Sequence, residues 1–172
     1  MSHKKYVFKP YDPNFPRLFL EESKRIQNAS AGVLTIEHVG STAVEGLSGK
    51  GIIDILIVVP KLKIENTLKL LQSLSYEFRK DYSEEDRLFF RTDLPDAHEG
   101  SRTYHVHLTF SKSNTHYALV RFRDYLKKHP DARLKYARMK QAAAQQAQGK
   151  GEVYRKAKAH FFATLPEKLF KQ

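Results

Sequence analysis

Three polar patterns in this chain are of the kind that do chemistry. The first is Asp54, the one polar residue in the run Ile52-Ile-Asp-Ile-Leu-Ile-Val-Val59. An ionised carboxylate inside a buried strand is costly unless a cation, a metal or water meets it. Asp54 therefore either faces a polar cleft or is paired with another charge. The second is the pair His105 and His107, two residues apart in an alternating stretch, so that both point the same way from a strand. Two imidazoles on one face suit a shared ligand, and the plainer reading is the solvated face of an antiparallel strand. The third is Gly40-Ser41-Thr42, which follows a short apolar-flanked run. Glycine lets a ligand approach the backbone closely, while Ser41 also reads as an ordinary helix N-cap.

With further pieces these patterns resemble a known family. Tyr11-Asp12-Pro13-Asn14-Phe15, His38-Val-Gly-Ser-Thr-Ala-Val44, Ile52-Ile-Asp-Ile55, His105-Val-His-Leu108, Phe122-Arg-Asp-Tyr-Leu126, His129-Pro130 and the late Tyr154, Lys158 and Phe161 are similar, in order, to the GrpB family of the nucleotidyltransferase superfamily. The resemblance implies an α/β (α+β) fold, a nucleotidyltransferase-like mixed β-sheet flanked by helices. It implies that Gly40-Ser41 opens a helix whose first amides, with Thr42, bind the phosphates of a nucleoside triphosphate. Asp54 is then the catalytic carboxylate and a ligand of a divalent metal, Mg²⁺ or Mn²⁺. The superfamily normally places a second carboxylate two residues later and a third on a neighbouring strand, together holding two metal ions. Here the second position is Leu56, which coordinates nothing.

His105 and His107 fall in the region of the third carboxylate. With Asp54 they would make a two-His, one-carboxylate set, suited to a transition metal rather than Mg²⁺. His38 is a further catalytic candidate as general base, or a core histidine bonded to a backbone carbonyl. Lys50, Arg121 and Arg123 would clamp phosphate, with Arg121 favoured because the family turns its helix toward the cleft. Lys156 and Lys158 are weaker candidates of that kind. Asp124 would brace Arg121 or Lys128, and Glu37 and Glu45 stand out of register for the missing acid. The functional expectation is a nucleotide- or phosphate-binding protein, active as a metal-dependent nucleotidyltransferase on an unidentified acceptor. The alternative is a binding or regulatory module for a nucleotide or phosphorylated metabolite that lost its acid at position 56.

These residues need elements to position them. Asp12-Pro13 and Phe15-Pro16 make a turn, followed by a predicted helix over residues 17–28. Strands are expected at 33–39 and 52–59, and an amphipathic helix at 62–74 from Ile64, Leu68, Leu71 and Leu74. Strands at 76–80 and 87–92 would form a hairpin around the acidic turn 83–86. Residues 94–102 read as a polar loop. Residues 103–110 alternate cleanly, with Tyr104, Val106, Leu108 and Phe110 on one face and Thr103, His105, His107 and Thr109 on the other. Helices are expected at 115–128, 131–148 and 152–162.

At 172 residues the chain reads as one domain, with no cysteine for a disulfide, a thiolate or a Cys-bound metal. It has no signal-peptide pattern and no apolar span of membrane length, so a cytoplasmic protein with no membrane partner is expected. From residue 112 onward there are 15 Lys and Arg against 4 Asp and Glu, and that stretch carries the whole +11 excess. A basic, helical C-terminal portion points to a polyanionic partner, a nucleotide or phosphorylated small molecule ahead of nucleic acid, or to a solvated helical face.

Overall fold

The computed structural model describes residues 8–147 and 151–170. The turn before the first helix is held by the Asp12 carboxylate, which accepts from the Asn14 backbone N–H at 2.9 Å. Helix α1 (Phe15–Ala29) then buries Phe15, Glu22 and Ile26. Glu22 is tolerated inside because Arg25 donates to both its oxygens, at 2.8 and 2.6 Å, and the Tyr76 hydroxyl donates at 2.7 Å.

Strand β1 (Thr35–Val39) and strand β2 (Ile53–Val59) are joined by the glycine-bearing loop 40–52. Helix α2 (Ile64–Ser73) follows, then the two-residue strand β3 (Glu77–Phe78) and the long hairpin of β4 (Arg87–Asp96) and β5 (Gly100–Phe110). The sheet order is β1-β2-β5-β4-β3. Only β2 and β5 run parallel among these neighbours; the other pairs are antiparallel. This is the mixed sheet flanked by helices that the resemblance implied.

Alternation gives the sheet two unlike faces. Ile53, Ile55 and Ile57 of β2 join Tyr104, Val106 and Leu108 of β5 and Phe90 of β4 against Ile26, Leu71 and Tyr76. The opposite face carries Asp54, Leu56 and Val58 beside His105, His107 and Thr109. Helix α3 (Asn114–Lys128) covers part of that second face, with Leu119 and Val120 packed on Val39, Leu56 and Val58. Helices α4 (Pro130–Ala147) and α5 (Gly151–Ala163) stack on each other past its end.

Two expectations are corrected here. Residues 94–102 are not a loop: Leu94 pairs with Arg102 and Asp96 with Gly100, extending the hairpin. Their polar character is satisfied inside the protein, since Arg102 is 2 % exposed and donates to Asp96 at 2.8 Å and to the Gly51 carbonyl at 2.9 Å. That guanidinium holds the Asp96 carboxyl down to about 2, against the opposing effect of burial. The strand predicted at 76–80 is two residues long, and its hairpin partner is β4 as expected. The expected end of the second of the three C-terminal helices, at Gln148, lies outside the described residues, as do Gly149 and Lys150.

Candidate functional site

A cleft of about 270 Å³ opens where β2 begins, between the second sheet face, the glycine loop and the α4–α5 pair. Asp54 stands at its floor with a side chain 21 % exposed. The parallel register sets Asp54 directly beside His105 and Leu56 beside His107. One carboxylate oxygen, Asp54 Oδ1, lies 3.3 Å from His105 Nδ1 and 3.5 Å from His107 Nε2. Burial alone would raise the Asp54 carboxyl, but the two imidazoles outweigh it and hold the group well below the ordinary carboxylate range. Asp54 therefore does both things its position allowed: it faces a cleft and is met by partners.

The tautomer of His107 is fixed from its other side. Arg87 Nη1, which can only donate, lies 3.4 Å from His107 Nδ1. Nδ1 is then the acceptor, and Nε2 of the neutral ring carries the hydrogen toward Asp54. Burial, the largest influence, pushes this imidazole down and so favours the neutral form. A metal at Nε2 would require that hydrogen to move to Nδ1, facing Arg87. Consistent with this wiring, no three of His, Cys, Asp and Glu among the described residues form a set that could hold a metal ion. The expected Asp54, His105 and His107 metal set is thus seen as two imidazoles leaning on one carboxylate.

The two-ion arrangement does not fit either. Leu56 is fully buried beneath α3, packed with Val39, Val58, Leu119 and Val120, so the second acid's position never reaches the cleft. Asp54 is the one carboxylate lining it among the described residues.

The glycine loop also differs from expectation. Gly40-Ser41 opens no α-helix; Ser41–Ala43 is a single tight turn that returns to extended backbone at Val44. Gly40 is needed for another reason. Its φ is 73°, and a Cβ there would run into the Asp54 carboxylate. Thr42 is buried, and its hydroxyl donates to the Ile52 carbonyl at 3.0 Å, pinning the loop's two ends together. Val44 and Leu47 anchor the loop's middle on Leu126 and Tyr136. Lys9 and Gly49 exchange backbone hydrogen bonds of 2.7 and 3.0 Å across its far end.

His38 pairs with Ile55, so it belongs to the opposite sheet face from Asp54. It stacks on Phe19 at 4.6 Å, and its Nε2 lies 3.0 Å from Thr42 Oγ1. The threonine proton already goes to Ile52, so His38 is the donor there. Burial pushes its imidazole down to about 4, keeping it neutral. Of the expected phosphate ligands, Gly40, Ser41 and Lys50 line the cleft, and Lys158 does too. Arg121 lies against the Tyr117 ring at 4.7 Å. Arg123 braces α3 to β1, donating to Glu37 at 2.8 Å, the His38 carbonyl at 3.0 Å and Asp124 at 2.8 Å. Neither arginine lines the cleft. Asp124 is thus paired with Arg123. Lys156 is an exposed partner of Glu152 on α5.

One cleft residue had no sequence signal. Lys140, in an Ala- and Gln-rich helix, is 4 % exposed and turns inward. Its Nζ donates to the Ser48 carbonyl at 2.8 Å and lies over the rings of Tyr136 and Phe8 at 4.6 and 5.7 Å. Burial, reinforced by Lys158 and Lys50 and opposed by Asp54, lowers this amine to about 7. A larger hollow of about 700 Å³ lies beside Lys61, Lys112 and Asp86. There Asp86 is engaged in capping α3, accepting from the Thr115 N–H and hydroxyl at 2.9 and 2.8 Å. The chemistry converges at the smaller site.

Comparison with known proteins agrees with this architecture. The family described as GrpB protein matches residues 5–168. A UPF0157 protein of Pseudomonas aeruginosa is 39 % identical over 158 residues, covering 91 % of this chain and 64 % of that protein, so the chain spans less than two thirds of that relative's length. A UPF0157 protein of Halalkalibacterium halodurans is 36 % identical over 154 residues, covering 87 % and 74 %. The crystal structure of the conserved protein GrpB from Enterococcus faecalis is similar at a TM-score of 0.76 and 25 % identity, over 91 % of this chain and 93 % of that one. The Cid1 poly(U) polymerase shares the fold at a TM-score of 0.50 and 12 % identity, over 78 % of this chain and 44 % of that one. Among the described residues no helix is long and apolar enough to cross a membrane.

Proposed function

The chain belongs to the GrpB family, and from that premise we propose that it is a binding module for a nucleotide or other phosphorylated small molecule, built on a nucleotidyltransferase fold without the two-metal centre. One observation carries this reading: a single cleft gathers Lys50, Lys140, Lys158 and Ser41 around one carboxylate. Three lysines with a hydroxyl suit a phosphate ester. One acid with Leu56 beneath α3 does not suit a pair of Mg²⁺ ions. The fold relative Cid1 is a polymerase described with UTP selectivity and with Mg and 3′-dATP bound, which makes nucleotides the first ligands to try. At about 270 Å³ the cleft is at the small end of ligand sites. It takes the phosphates, with the rest of the ligand lying across the mouth.

Calorimetry with ATP, GTP, CTP and UTP, with and without Mg²⁺ or Mn²⁺, tests the proposal. Binding is expected without metal. Asp54→Asn, which removes a negative charge facing the phosphates, is expected to strengthen it severalfold. Loss of binding in Asp54→Asn, or binding only with the metal present, would restore the metal-dependent enzyme reading. No heat with any nucleotide would sink nucleotide binding altogether.

A further inference from the structure

Lys140 is an unusual cation for a phosphate site. An ammonium has three hydrogens to place, yet among the described residues Ser48 O is its one acceptor, at 2.8 Å. Its remaining surroundings are the faces of Tyr136 and Phe8. Two further lysines share the cleft, Lys50 from the loop and Lys158 from α5. Burial and like charge both disfavour a proton on this amine, whereas Asp54 on β2 and the two ring faces favour one, and burial outweighs them. The other titratable groups facing the cleft are His105 and His107 of β5 and Tyr136 and Tyr154 of α4 and α5. Gly49 leaves room where this amine and the loop meet: a Cβ there would come within 2.7 Å of Ser41 Oγ and 3.4 Å of Lys140 Nζ.

Resting on the phosphate-binding function just given, we propose that Lys140 reads the charge of the ligand: it waits as a neutral amine against the Ser48 carbonyl, and takes up a proton to meet a dianionic terminal phosphate that enters over Gly49 beside Ser41. The free protein holds the amine near 7, so the incoming anion has a proton to draw from solution at mildly alkaline pH. A terminal phosphate dianion supplies the charge that Asp54 alone does not. A phosphodiester, with one negative charge, rewards the proton less.

The test is ATP titration at about pH 8 in two buffers of different ionisation enthalpy, where the ligand's own terminal phosphate, with a second pKa of about 6, is already dianionic. Wild-type protein is expected to take up most of one proton per ATP bound. Lys140→Arg keeps the charge but cannot shed it, so it is expected to bind ATP with no uptake. Lys140→Met, checked for folding by circular dichroism, is expected to lose about tenfold or more in affinity along with the uptake, as for a lost charged hydrogen bond. ATP binding by wild type without proton uptake overturns the role of Lys140 and leaves phosphate binding standing. Uptake that persists in Lys140→Arg assigns the proton to a histidine and overturns it equally. Absence of any ATP heat removes the underlying function instead.

Discussion

A lysine amine held near 7 inside the protein ties stability to pH in a definite direction. In the unfolded chain the same amine titrates at about 10.4. Between these values the unfolded state binds more protons than the folded one, so stability rises with pH across that window and levels off outside it. Replacing the amine with a thioether chain of similar length removes the dependence, and exchange of a buried cation for an apolar side chain is often neutral or stabilising. The Ser48 carbonyl loses its donor in return. Urea unfolding at pH 6.5 and 9.5 checks this. Wild type should gain stability between the two conditions relative to Lys140→Met, by an amount on the order of 1–3 kcal/mol after solvent penetration is allowed for. Equal pH responses in the two proteins would mean the amine titrates as an ordinary lysine.

At the scale of elements, α3 decides what β2 can do. It lays Leu119 and Val120 over Leu56 and leaves Asp54 clear. A carboxylate at 56 would therefore sit in a dry layer and not in the cleft. Leu56→Asp is expected to lose about 3 kcal/mol or more of stability and to gain no metal-dependent pyrophosphate release, with thermal unfolding and a pyrophosphate assay as the measurements. Release of pyrophosphate by a stable variant would show that α3 yields and that the acid was all that was missing. Much of this arrangement was legible in the chain. The alternation of residues 103–110 placed both histidines on the polar face, and the apolar run marked Asp54 as lying on a buried strand; that the two strands are neighbours shows only in their pairing. The burial of Leu56 was not legible, because which helix covers which half of a sheet face is set by tertiary packing and leaves no local period. Gly40 was read as making room for a phosphate, whereas it makes room for Asp54; both uses demand the same residue. Lys140 was invisible because one lysine in a helix of strong helix formers looks like solvent-facing charge, and only the packing of α4 on the loop turns it inward. Arg123 showed the reverse: it looked like a phosphate clamp and is a brace between α3 and β1.

For the whole molecule, the question is what the basic C-terminal third serves. Part of its charge braces the fold, as Arg123 does between α3 and β1. Lys140 and Lys158 point into the cleft with Lys50, while Lys127, Lys128, Lys135, Arg138, Arg155 and Lys156 lie exposed on α3, α4 and α5. Exposed charges of this kind act over a Debye length of about 10 Å at 0.1 M salt. On the proposed function they would draw anions toward the cleft without having to contact them. If the cleft is the site, a single-stranded oligonucleotide meets only Lys50 and Lys158 as cations, since its phosphodiesters do not draw a proton onto Lys140, and its affinity should fall with salt at a logarithmic slope of about 1.4, or 0.7 for each phosphate neutralised. ATP should compete with it. Should the exposed residues instead form a track for nucleic acid, six more contacts would steepen that slope to about 6, and ATP would compete poorly. Fluorescence anisotropy of a labelled oligouridylate between 50 and 300 mM KCl separates the two. The shallow slope with ATP competition is expected, because the outer cations are spread over three helices, while only the inner ones converge on a concave, glycine-lined space with Asp54 at its floor.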